Sequence, residues 1–287
     1  MPELPEVETV KRGLEPVLKG RTITKVETRR GNLRWAFPPG FAAKLEGAKV
    51  IGLARRAKYI LVGLDSGISL LIHLGMTGRF TVIAPKGSKN LGEFYFETGA
   101  GEKADGPHDH VVFDLDDGVK LVYSDPRRFG MMDLVPADGA HKLLKGLGVE
   151  PLGNELSADY LAQRFKKKAA PMKAALLDQS IVAGLGNIYV CEALWRARIS
   201  PKRKARTLKK DQLEELVRHI RDVLNDAIKA GGSTLRDFQG ADGEKGSYQE
   251  RFQVYDYEGD PCPRGDGMIK RIVQSGRSTF YCPKCQK

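Results

Sequence analysis

The residues best suited to covalent chemistry stand at the start of the chain, in 2-PELPEVE-8. Once Met1 is removed, Pro2 is a free secondary amine with Glu3 beside it. An α-amine titrates near pH 8, so a neutral, nucleophilic fraction exists at physiological pH. Such an amine can attack a sugar C1′. The iminium it forms, coming from a secondary amine, stays cationic without further protonation and serves as an electron sink for β-elimination. Glu3 is placed to protonate the opening sugar ring as general acid. Lys58, in 55-RRAKYIL-61, is a third candidate. The same opening stretch also reads as a helix start, with Pro5 in the first turn and Glu3, Glu6 and Glu8 complementing the dipole. Glu8 is assigned to that structural role.

Other groups suit a phosphate backbone and a base stack. The stretch 195-WRARISPKRKARTLKK-210 holds eight Lys or Arg and no acid, an excess that binds phosphates in a salt-sensitive way. Just before it, 184-GLGNIYVCEALW-195 puts a Gly-x-Gly turn ahead of a helix whose expected first residue is Asn187. Unpaired N–H donors at such a terminus suit a phosphate oxygen. In 73-HLGMTG-78 and 125-DPRRFG-130, Met76, Arg127 and Phe129 lie in glycine-bearing turns. Projecting side chains of these types can wedge into a base stack and replace an extruded nucleotide; judged separately, Met76 and Phe129 read first as core residues.

Near the C-terminus, Cys262, Cys282 and Cys285 frame 262-CPRGDGMIKRIVQSGRSTFYCPKC-285. Cys282 and Cys285 have zinc-knuckle spacing, but Gly265 stands three residues after Cys262 where a second pair needs its partner. Asp266 could supply a fourth ligand, water could, or the hairpin could fold without metal. Arg277, in QSGRST, is the residue such a finger would present to DNA. Cys191, alone in a helical stretch, reads as a buried apolar residue.

The elements that must position these residues fall into two styles. Val7, Val10, Leu14, Val17 and Leu18 have helical spacing, with Gly20 placed to end the helix. Residues 22–134 are dominated by the strand-like runs ITKVETRR, KYILVGL, SLLIHLGM, RFTVIA, HVVFDLD and VKLVYSD, separated by Gly/Asp turns. They predict a sandwich or flattened barrel. Beyond about residue 135 helices take over, the clearest running through 211-DQLEELVRHIRDVLNDAIKAGG-232, with an apolar stripe from Leu213 to Ile228. From residue 252, FQVYDY, MIKRIV and STFYC predict short strands. Residues 88–110, rich in Gly and charge, read as a surface insertion between strands.

The 287 residues carry 47 Lys and Arg against 36 Asp and Glu, a net charge of +11 and a pI near 9.4. That balance points to a polyanionic partner, nucleic acid ahead of an anionic membrane surface. No apolar run reaches the roughly 18 residues of a membrane span, and the start lacks a signal-peptide pattern, so the expected location is cytoplasmic.

Taken together, PELPEVE, RRAKY, HLGMTG, DPRRFG, GLGNIY and QSGRSTFYCPKCQ resemble, in order and over essentially the whole chain, the bacterial formamidopyrimidine-DNA glycosylase family. The resemblance implies a bifunctional DNA glycosylase and AP lyase that flips 8-oxoguanine and formamidopyrimidines out of duplex DNA and ends in β,δ-elimination. It implies an α+β, multidomain fold. The expected parts are an N-terminal helix with a β-sandwich (1–134), a helix-two-turn-helix domain with a lesion-covering loop at 233–250 (135–250), and a zinc-finger hairpin (251–287). Pro2 matches the nucleophile, Glu3 the acid and Lys58 a catalytic lysine. Met76, Arg127 and Phe129 match the residues that fill the gap left by the flipped base. His110, Arg127, Arg128, Asn187 and Arg277 match DNA contacts, and Glu6 and Lys173 match the lesion pocket. It further implies one zinc, a monomer, double-stranded DNA as partner and a place on the bacterial nucleoid. Gly265 and the 88–110 insertion depart from the pattern. The related endonuclease VIII branch, acting on oxidised pyrimidines, and a catalytically silent DNA-binding relative are the alternatives. PELPEVE and the Met-Arg-Phe trio favour the purine branch.

Overall fold

The computed structural model describes residues 2–84, 106–233, 246–265 and 267–287. The chain divides into two compact units, one of residues 1–145 with 230–247, the other of residues 146–229 with 248–287.

The first unit begins with α1 (Leu4–Leu18). Glu3 is its N-cap and Pro5 lies in its first turn, while Glu3 and Glu6 form a reciprocal capping box, each side chain accepting from the other's backbone N–H. That box satisfies two donors that a helix start otherwise leaves open. The helix stops before Gly20, whose φ of 83° suits glycine alone. Two four-stranded antiparallel sheets follow. One has the order β1 (Ile23–Thr28), β6 (Asp109–Leu115), β7 (Lys120–Ser124), β5 (Arg79–Ile83). The other has the order β2 (Val50–Arg56), β3 (Tyr59–Leu64), β4 (Ser69–His73), β8 (Met131–Val135). Val10 and Leu14 of α1 share one apolar core with Ile60 and Ile72 of the second sheet and Phe80 and Phe113 of the first, which makes the unit a sandwich with its helix packed in. A short α2 (Phe41–Leu45) completes it.

The second unit contains α3 (Ala158–Phe165), α4 (Met172–Leu177), α5 (Asn187–Arg196) and the 20-residue α6 (Lys210–Lys229). The stripe of α6 is buried from Leu213 to Ala227, and Ile228 is only half-buried. A hairpin of β9 (Lys270–Gln274) and β10 (Arg277–Tyr281) closes the chain. Its two turn residues, Ser275 and Gly276, have φ of 49° and 72°, the left-handed pair that matches strand twist in a two-residue hairpin.

One expected strand is absent. FQVYDY forms turns following a 3-10 turn at Tyr248–Arg251. Among the described residues its alternating pattern has no partner strand. Instead the backbone N–H groups of Gln253, Val254 and Tyr255 all donate to the Glu192 carboxylate on α5. Conversely, β2 and β8 form where no strand was expected. Most of the 88–110 insertion and of the 233–250 loop lies outside the described residues.

Candidate active site and nucleic-acid interface

Pro2, Glu3 and Glu6 are all buried at the start of α1. Glu6 divides its oxygens: Oε2 accepts the Glu3 N–H at 2.9 Å, and Oε1 accepts the Ser233 N–H at 2.8 Å and its hydroxyl at 3.0 Å. Gly232, at φ 82°, sits so close to Glu6 that an added Cβ would stand 3.0 Å from its side chain, tighter than ordinary packing. The helix start and the root of the 233–250 loop are therefore joined through one buried carboxylate.

Lys58 occupies the two-residue turn between β2 and β3, which the Arg56–Tyr59 pair closes and Ala57 allows with φ 52°. Arg55 anchors that turn to α1: its Nε pairs with Glu8 Oε2 at 2.9 Å and its Nη1 donates to the Ala57 carbonyl at 2.9 Å. Glu8 is thus a support for the Lys58 turn as well as a helix-start acid, a link that no local spacing in the sequence shows.

The turns HLGMTG and DPRRFG lie against each other. A Cβ on Gly75 would stand 2.3 Å from the Gly130 nitrogen, and one on Gly78 or Gly130 would strike the Tyr123 hydroxyl. Asp125, fully buried, ties the turns by accepting from the Thr77 hydroxyl and from the Gly130 N–H at 2.8 Å. Arg127 donates its own N–H back to Thr77. Arg128 holds φ 54°. The result throws Arg127, Arg128 and Phe129 outward; Phe129 is 45% exposed and carries the Arg127 guanidinium 4.8 Å above its ring. Met76 is half-buried in the facing turn. His110 is placed differently from a surface DNA contact: it is 2% exposed, and its Nε2–H donates to the Asp125 carbonyl at 2.9 Å, supporting the turn from inside.

His73, which sequence reasoning passed over, lies at the end of β4. Its Nδ1 accepts the Gly75 N–H at 3.0 Å, so the proton of the neutral ring is on Nε2. Burial, then the charges of Lys58 and Arg34, lower its pKa to about 4. A cavity of about 500 Å³ opens here, bounded by Arg34, His73, Met76, Arg127 and Phe129.

In the second unit Asn187 is the first residue of α5, after Gly186. Its side-chain amide donates to the Ser278 carbonyl at 2.9 Å and to the Tyr255 hydroxyl at 3.3 Å. Lys173 is fully buried and donates to the Ser278 carbonyl and Thr279 hydroxyl of β10, at 2.8 and 2.6 Å. Both side chains thus brace the strand that begins with Arg277, itself exposed at the hairpin tip. Glu192, 0% exposed, has its pKa raised by burial even though three backbone N–H groups bind it.

The Sγ atoms of Cys262, Cys282 and Cys285 lie within 4.8 Å of one another, with Cys262 and Cys285 3.9 Å apart. Thiolates about 2.3 Å from a tetrahedral zinc are spaced about 3.8 Å apart, so the three fit as ligands. The Trp195 indole N–H donates to Cys262 Sγ at 3.4 Å, and Arg264 stacks 4.1 Å over that indole. Asp266 lies outside the described residues. Cys191 is buried in the same cluster, as expected of a lone cysteine in a helical stretch.

An outward arginine–phenylalanine pair in the first unit, and in the second a Gly-x-Gly helix start braced against a hairpin with a three-cysteine cluster, are features that suit contact with a nucleic acid. Three family models match the chain: the N-terminal domain of formamidopyrimidine-DNA glycosylase at residues 1–132, its helix-two-turn-helix domain at 147–239, and a zinc finger found in that enzyme and in isoleucyl-tRNA synthetase at 259–287. The chain is 54% identical to the formamidopyrimidine-DNA glycosylase of Ruegeria pomeroyi and 55% identical to that of Rhizobium johnstonii, in each case over the full length of both. Among solved structures it is similar to the Thermus thermophilus protein, with a TM-score of 0.84 and 39% identity, covering 99% of this chain and 98% of that one. It is also similar to the Lactococcus lactis protein bound to abasic-site DNA, with a TM-score of 0.85 and 33% identity over all of both chains. The chain belongs to the formamidopyrimidine-DNA glycosylase family. Among the described residues no helix is long and apolar enough to cross a membrane.

Proposed function

We propose that this chain excises oxidised purines, 8-oxoguanine and formamidopyrimidines, from duplex DNA and then cuts the strand as an AP lyase. The observation that carries the chemistry is the buried Pro2–Glu3 pair at the positive end of α1, where the helix dipole disfavours a protonated amine. With Met1 removed, the Pro2 nitrogen attacks C1′ of the flipped nucleotide. The C1′–N bond breaks, and the base leaves with that electron pair and a proton. Glu3 protonates the ring oxygen; the sugar opens to a cationic iminium as the nitrogen gives up its own proton. Loss of a C2′ proton then expels the 3′-phosphate, and a second elimination expels the 5′-phosphate. Lys58 holds a backbone phosphate beside this centre. Glu6 lines it and fixes the root of the loop at 233–250, and Lys173 shapes the lesion pocket through β10.

Met76, Arg127 and Phe129 occupy the gap left by the flipped base. His110 keeps their turn in shape, while Arg128, Asn187 and Arg277 grip phosphates. In this division residues 1–134 carry the chemistry, 135–250 grip the duplex and 251–287 form the finger. The finger holds one zinc through Cys262, Cys282 and Cys285, with Asp266 or water as the fourth ligand. The protein works as a monomer, in the cytoplasm on the nucleoid.

Borohydride added to a reaction on 8-oxoguanine duplex should reduce the iminium and leave one covalent protein–DNA adduct. Pro2→Gly, which supplies only a primary amine, should lose most strand nicking. Absence of the adduct in protein that intact mass shows to lack Met1 would falsify the amine mechanism. Thymine-glycol duplex in parallel separates the purine from the pyrimidine branch.

A further inference from the structure

The tight loop at 31–37 carries a second arginine–aromatic pair that the excision mechanism leaves unused. Its apolar residues face in: Leu33 is buried in the sandwich core, and Phe37 stacks on Phe41 with ring centres 4.8 Å apart. The loop is closed by an Asn32–Ala36 bridge and by the Leu33 N–H donating to the Trp35 carbonyl. It is bolted to the wedge turn by the Arg34 N–H, which donates to the Gly130 carbonyl at 3.0 Å. Arg34 and Trp35 are the cationic and aromatic side chains that the loop presents outward. Trp35 is 46% exposed, a position with no core role, and the Arg34 guanidinium lies 4.9 Å over its ring.

Arg34 bounds the same cavity as Arg127 and Phe129, and among the described residues no carboxylate lines it. Its volume, about 500 Å³, falls in the range of roughly 300–1,000 Å³ typical of small-ligand pockets. The site therefore offers two stacked guanidiniums from opposite turns, an imidazole held neutral, and apolar faces from Met76 and Phe129. Guanidinium N–H groups in a fixed fork recognise an edge with acceptor atoms, and the apolar faces suit a flat heterocycle. A nucleobase without a partner has both.

We infer that this cavity receives the base left opposite the extruded lesion and that Arg34, held in place by Trp35, reads that base together with Arg127, which bounds the same cavity. The inference rests on the excision reading above. Arg34 makes the contact; Trp35 is a positioning residue.

The test is binding of full-length protein to duplexes carrying a tetrahydrofuran abasic analogue opposite cytosine, opposite adenine, or opposite a second tetrahydrofuran that offers no base. Arg34→Ala should weaken binding to the cytosine duplex roughly tenfold, the scale of one good base-edge contact. It should leave binding to the base-less duplex within about twofold. Arg34→Lys should fail to restore the loss, since a point charge cannot replace the fork. Trp35→Phe should keep the preference for cytosine and Trp35→Ala should lose it. Both positions are exposed, so the fold tolerates these changes, and near-UV circular dichroism verifies that. Equal weakening on all three duplexes would make Arg34 a phosphate contact and overturn the inference, as would no weakening on any. Wild-type protein binding the analogue no better than undamaged duplex would instead overturn the excision reading itself.

Discussion

Glu6 and His73 show how single side chains hold this site. Glu6 binds the Glu3 peptide N–H with one oxygen and Ser233 with the other. His73 accepts the Gly75 N–H, which only a ring with a bare Nδ1 can do. The fold holds its pKa at about 4, against 6.5 for the free side chain, through burial and the charges of Lys58 and Arg34. Between those values the unfolded chain binds the extra proton and the folded chain does not, so folding stability rises with pH across that window. The contribution is complete above about pH 6.5 and is lost as pH falls toward 4. Its full size is about 3 kcal/mol. Urea denaturation of wild type and His73→Gln from pH 4 to 7 should show the slope in the former and a flatter profile in the latter. Parallel profiles would remove His73 as the source. Nothing in the sequence HLGMTG revealed this, because a histidine's protonation depends on what buries it.

At the scale of elements, what was legible in the sequence was local. α1 and α6 followed from apolar spacing, and six strands followed from alternation between turn residues. Asn187 as the first residue of α5 followed from two glycines before an apolar run. What failed depended on distant partners. FQVYDY alternates like a strand, yet its backbone is bound by Glu192 some 60 positions earlier, and a lone acid in an apolar helix gives no hint of that. VIGLARR was passed over because Gly52 and two terminal arginines interrupt its pattern, though β3 pairs with it along its length. Of the site, the glycine-bearing turns were visible, while the Arg55–Glu8 anchor and the Arg34–Trp35 pair were not. The interleaving of base and aromatic in 29-RRGNLRW-35 was the signal available for the latter.

The finger was half legible: the Cys-x2-Cys pair was plain, and how Cys262 joins it required the fold. Burial pushes the Cys285 thiol up, and a bound cation would offset that by stabilising its thiolate. Metal analysis of purified protein should find about one zinc per chain. Stripping it with a chelator, or Cys282→Ser, should lower the thermal midpoint. Protein with no zinc and an unchanged midpoint would mark the finger as metal-free.

For the whole molecule, the net charge of +11 predicts a salt-dependent affinity for DNA. The eight cations of residues 195–210 are partly committed, since Arg196 pairs with Asp226 at 2.9 Å and Lys202 lies over the Tyr281 ring. If about six phosphates are neutralised by the chain as a whole, log K against log salt should fall with a slope of about −5. Binding would then weaken about a thousandfold between 50 and 200 mM salt. Titrations against undamaged duplex over that range provide the measurement, and a slope shallower than about −2 would place the positive charge elsewhere than on DNA. The seam between HLGMTG and DPRRFG adds a different constraint. Gly75 faces the Phe129–Gly130 backbone and Gly130 faces the His73 carbonyl, and neither leaves space for even a methyl group, so neither turn can be altered at these two glycines without remaking the other. For protein engineering the two form a single cassette: a graft of new opposite-base preference must carry both turns, with Tyr123 and Asp125 beneath them, into the recipient together.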